Sequence, residues 1–99
     1  MPVADIRCFL AEQKYVTAVS SEQELLIPDT LKDLETEFAA QFVRVHRNAL
    51  VSVAHVIRLQ RDEGGSWQVE LEGVDARPAV SRRHLTQAKE RLLKGVVPT

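Results

Sequence analysis

Apolar positions along this chain alternate with polar ones, or run in short blocks bounded by turn residues, and most of it is therefore expected to form short strands. Ile6 to Ala11 is a largely apolar run suited to a buried strand, and Tyr15 to Val19 is a second β-rich run. Glu12-Gln13-Lys14 makes a polar tip between them. Leu25 to Ile27 predicts a short third strand ended by Pro28. Asp29 or Thr30 then caps a helix, with Asp33 as a weak capping-box partner. Leu31, Leu34 and Phe38 fall on one stripe of that helix, which reads as a packing element with an acidic outer face.

The second half repeats the β pattern. Val43 to Val45 is β-branched, with Arg44 and His46 alternating to the opposite face, and Arg47-Asn48 forms the exit from that strand. Ala49 to Val53 and Val56 to Leu59 predict further strands. Gly64-Gly65, within Arg61 to Ser66, marks a hairpin loop. Trp67, Val69 and Leu71 alternate with Gln68, Glu70 and Glu72, as in a half-buried strand. Gly73 to Pro78 is a turn region and Ala79-Val80 a last short strand. A terminal helix is expected from Arg82 to about Leu93, with Ser81 as N-cap, Leu85, Ala88 and Leu92 at helical spacing, and Gly95 just beyond as a C-cap.

Two arginines at the mouth of that helix break a local rule. The first helical turn carries partial positive charge, which favours acids over guanidinium groups. Arg82 and Arg83 therefore point to an anion in front of them, and a phosphate backbone with base edges beyond it fits. Net charge of −1 argues against a nucleic-acid binder, but the charge is unevenly spread. From Ser81 to Lys94 the cations Arg82, Arg83, Lys89, Arg91 and Lys94 face Glu90 alone. From Glu22 to Glu37 six acids, Glu22, Glu24, Asp29, Asp33, Glu35 and Glu37, face only Lys32. A local basic patch contacts phosphates whatever the total, and the acidic face should point away from the ligand.

Other chemistry is thin. The 99 residues suit one domain, and a 44% hydrophobic content excludes a wholly disordered chain. No apolar run approaches the ~20 residues of a membrane span, and no secretory signal is visible. The lone Cys8 sits in an apolar run and reads as a core residue, as suits a reducing cytoplasm. Ser81 and His84 lie near each other, but no nucleophile-elbow glycines surround the serine, and the chain is read as no enzyme. His46 and His55 lack partners at metal-ligand spacing, so neither metal nor cofactor is expected. Arg44 reads as a solvated strand residue and His46 as a structural one. Arg47 and Asn48, on a loop, can reach phosphate or bases. Lys14 and Tyr15 suit a hairpin tip entering a groove. For Lys89, Arg91 and Lys94, late in a helix, a favourable dipole is explanation enough. Phe9, Tyr15 and Trp67 are scattered over different strands, which disfavours stacking on single-stranded RNA. The rival reading is a β-rich protein-interaction domain that docks a partner along a strand edge.

Phe9-Leu10-Ala11-Glu12-Gln13-Lys14-Tyr15-Val16, Leu31-Lys32-Asp33-Leu34-Glu35, Phe42-Val43-Arg44-Val45-His46-Arg47-Asn48-Ala49-Leu50-Val51 and Val80-Ser81-Arg82-Arg83-His84 follow one another at characteristic intervals. Together, over Asp5 to Leu93, they resemble the LytTR DNA-binding domain. The resemblance implies a mainly β, elongated fold of small antiparallel sheets, with one short internal helix and a C-terminal helix. It sets the domain at residues 5–94 and leaves 95–99 as a tail. It further implies sequence-specific binding of double-stranded DNA by the effector domain of a cytoplasmic, two-component response regulator. Direct repeats, a homodimer on DNA and an N-terminal receiver domain are expected partners, the receiver being absent from this chain. By position, the DNA-binding residues fall on Lys14 or Tyr15, on Arg47 with Asn48, and on Arg83 with Arg82. Some relatives carry histidine in the first loop and asparagine where Arg47 stands, and this chain departs from them at both places.

Overall fold

The computed structural model describes residues Pro2–Leu92. A 3-10 turn, Val3–Asp5, leads into β1 (Ile6–Glu12), β2 (Tyr15–Ser20) and β3 (Glu24–Ile27). Then come α1 (Leu31–Glu37), β4 (Phe42–His46) and β5 (Ala49–Ser52). A second 3-10 turn, Val53–His55, passes the chain to β6 (Val56–Arg61), β7 (Trp67–Leu71), β8 (Ala79–Val80) and α2 (Arg82–Leu92). Leu93, Lys94 and Gly95, expected at the end of the last helix, lie outside the described residues.

Two antiparallel sheets result, one in the order β3-β2-β1-β5-β4 and one in the order β6-β7-β8. Alternate residues of the larger sheet enter two separate cores. Ile6, Phe9, Val16, Ala18, Phe42 and Leu50 pack under Leu31 and Leu34 of α1. Cys8, Val19, Val43, Val45, Ala49 and Val51 meet Val69 and Leu71 of the small sheet and Ala88 and Leu92 of α2. The larger sheet is thus covered on both faces, which is why its inner strands read as unbroken apolar runs. The outline is elongated, 39 × 25 × 25 Å. No described helix is long and apolar enough to cross a membrane.

α1 is seven residues long, too short to stand alone. Thr30 caps it, accepting from the Asp33 amide at 3.1 Å, a contact worth about 1 kcal/mol. Packing contributes more. Phe9 and Phe42 are almost fully buried with Phe38 beside them, and burying a phenylalanine is worth about 2–3 kcal/mol. The helix is therefore held by its apolar stripe.

One expected strand is shorter than its pattern suggests. Ala49 to Val53 was expected to run on, but β5 stops at Ser52 and the Val53 amide turns to the Gln41 carbonyl at 3.0 Å. Alternation continues through this point because Val53 still packs against the core while the chain changes sheets.

Candidate nucleic-acid interface

Three segments far apart in sequence meet at one end of the larger sheet. β1 and β2 join through Gln13-Lys14, with Glu12 opposite Tyr15. Gln13 has φ of 49°, a left-handed conformation uncommon for a residue with a side chain. Lys14 and Tyr15 are exposed there, Tyr15 at 56%. β1 also pairs with β5, so the β4–β5 turn at Arg47-Asn48 emerges alongside, and the Ala11 amide donates to the Asn48 carbonyl at 2.8 Å.

The Arg47-Asn48 turn is braced from below. Arg44 donates from Nε to the His46 carbonyl at 2.9 Å and from Nη2 to the Arg47 carbonyl at 2.7 Å. Its Nη1 reaches Glu35 Oε1 of α1 at 2.8 Å. The expected solvated Arg44 is thus corrected, since only 18% of its side chain is exposed. β4 puts Arg44 on the face that α1 covers. His46 accepts from the Asn48 amide at Nδ1, 3.2 Å away, which requires that nitrogen to be unprotonated. Arg47 and Asn48 are themselves exposed.

α2 begins at the outer edge of β4, where the Ser81 amide donates to the Val45 carbonyl at 2.9 Å. Ser81 holds the N-cap position, and its hydroxyl engages His84 Nδ1 at 2.7 Å. A serine and an imidazole at that distance have nucleophile–base geometry. Burial, with Arg44 and Arg83 close by, nevertheless lowers the His84 pKa, which makes it a poorer proton acceptor. Arg82 and Arg83 are exposed, and among the described residues neither is paired with a carboxylate. Arg82 also lines a groove of about 330 Å³ with Arg61, Gly64, Gly65, Ser66 and Trp67.

The remaining charges have internal partners or lie elsewhere. Lys89 Nζ sits 4.6 Å from the centre of the Trp67 ring, and Arg91 donates to the Ala39 carbonyl at 3.2 Å. His55 bridges the Ala4 carbonyl and Glu72, a structural part. Glu22 and Glu24 lie at the opposite end of the sheet, in the β2–β3 turn and opposite Val19 at the start of β3. The acidic face does not turn away entirely, however, because Glu35 reaches Arg44 beneath the Arg47 turn. Sequence reasoning missed Arg44, Glu35 and the Ser81–His84 bond. The one available signal was an arginine between two valines of a strand, three residues before a turn.

Taken together, the end of the molecule offers exposed guanidinium, amide, ammonium and hydroxyl donors over a half-buried base. Cys8, by contrast, is buried, and burial pushes its thiol up to about 12.

Comparison with known proteins identifies the family and the fold. Residues 1–93 match the family described as the LytTr DNA-binding domain. The positive alginate biosynthesis regulatory protein of Pseudomonas aeruginosa is 44% identical over 86 residues, which are 86% of this chain and 35% of that protein. An uncharacterized HTH-type transcriptional regulator of Staphylococcus aureus is 31% identical over 91% of this chain and 60% of its own length. A solved LytTr DNA-binding domain from Bacillus cereus superposes with a TM-score of 0.82 at 19% identity, covering 93% of this chain and 84% of that one. The chain therefore spans between about a third and three-fifths of the two curated relatives. On the match of residues 1–93 and these identities, it is a member of the LytTR DNA-binding domain family.

Proposed function

We propose that this domain binds double-stranded DNA sequence-specifically, as the effector part of a cytoplasmic two-component response regulator that controls transcription. The observation that carries the reading is the convergence of Lys14-Tyr15, Arg47-Asn48 and Arg82-Arg83 on one end of the larger sheet, the last two residues lacking a described carboxylate partner. Arg83 makes a bidentate contact to guanine O6 and N7, with Arg82 on phosphate. Arg47 enters a narrow minor groove or holds backbone, supported by Asn48, while Lys14 and Tyr15 touch a neighbouring groove. The binding unit is residues 5–94 with 95–99 as a tail. It acts as a homodimer on direct repeats, under a receiver domain in the full-length protein.

The test is a salt series with a duplex recovered by selection from random sequences, set against its separated strands. The duplex should bind more tightly, with log affinity falling linearly against log salt. Equal affinity for duplex and single strands overturns the reading.

A second reading has one observation in its favour. β3 is an edge strand whose Leu25 and Leu26 are 46% and 64% exposed, an edge onto which a partner strand could add. It leaves Arg82 and Arg83, which have no carboxylate partner among the described residues, without a role.

A further inference from the structure

We propose that Arg44 is the positioning residue of the β4–β5 turn: held by Glu35, its guanidinium draws the turn's carbonyl groups inward, leaving a nucleic acid to meet side-chain donors. The inference rests on the DNA reading above.

Carbonyl oxygens carry partial negative charge and repel phosphate, so a phosphate-facing turn must dispose of them. Here each of three successive carbonyls is engaged within the protein. His46 and Arg47 oxygens accept from Arg44 at 2.9 and 2.7 Å, and the Asn48 oxygen accepts from the Ala11 amide at 2.8 Å. The Asn48 amide is likewise turned inward, to His46 Nδ1. What remains outward is the pair of exposed side chains, Arg47 and Asn48.

The two carbonyls and the carboxylate are held by three separate nitrogens of one planar fork, a spread that a lysine ammonium, with its donors on a single atom, does not reproduce. Glu35 Oε1, at 2.8 Å, sets the fork's orientation and offsets a half-buried charge. That explains an acid so near a surface meant for phosphates. α1 thus acts on the turn from a distance, without touching the ligand.

The experiment uses the whole chain, the selected duplex and a scrambled duplex of equal composition. R44K should keep the thermal transition near that of the parent and weaken the selected duplex about tenfold, with the scrambled one unchanged, as for lost hydrogen bonds to a charged group. In an R47A/N48A background, R44K should have no further effect on the ratio. E35Q, which leaves Arg44 in place, should lower the ratio about threefold, as expected for one partly exposed ion pair. A tenfold loss that persists in the R47A/N48A background overturns the inference, because Arg44 would then touch DNA itself. Equal strengthening of both duplexes by E35Q also overturns it, because Glu35 would merely repel phosphate. If the parent shows no preference between duplexes, the DNA reading falls and takes this inference with it. A parent that discriminates, beside an R44K that discriminates equally well, defeats the inference alone.

Discussion

At the scale of single residues, the arginines of the chain differ by what they touch. Arg7, Arg44 and Arg58 are each paired with a carboxylate, whereas Arg82 and Arg83 face outward at a helix mouth that disfavours cations. Arg83→Ala should cost about 1–3 kcal/mol on the selected duplex and flatten base preference at one position. Competition binding against single-base variants of the site checks this. Uniform weakening across all variants would make Arg83 a phosphate clamp. The pair was legible in the sequence because it breaks a rule stated for any helix. Arg44 was not. Alternation along β4 assigns it a face, but nothing local says that α1 returns to cover that face and bring Glu35 within 2.8 Å.

At the scale of elements, the strands and both helices were legible, because turn residues and period-two patterns bound each one. Their limits slipped where tertiary contacts override the pattern, as at Ser52, where the chain leaves one sheet for the other. α2 begins directly after Ser81, as expected, but the Ser81 hydroxyl engages the imidazole of His84, which sequence spacing cannot distinguish from a backbone amide. That arrangement has a pH consequence. Burial first, then the guanidinium groups of Arg44 and Arg83 against Glu35, lowers the His84 pKa below its ordinary 6.5. The unfolded chain therefore takes up this proton before the folded one. The contribution is fully present above about 6.5 and is lost as pH falls through the lowered folded value. Thermal melts between neutral and mildly acid pH should show H84Q losing less stability on acidification than the parent. Parallel falls in the two proteins would remove His84 from the account.

At the scale of the whole molecule, the sequence showed three separated basic tips but could not show that they meet. Their meeting depends on sheet order. β1 lies between β2 and β5, so two hairpin turns emerge side by side, and the Ser81–Val45 hydrogen bond brings α2 to the same end. Glu22 and Glu24 are carried to the other end by the length of β2, away from the three tips. An exposed β3 edge offers the competing surface. Backbone amide shifts on adding the selected duplex separate the two most directly. On the DNA reading, changes should gather at residues 13–15, 46–48 and 81–84 while 24–27 stay still. Changes centred on 24–27, with the three tips unaffected, would contradict it.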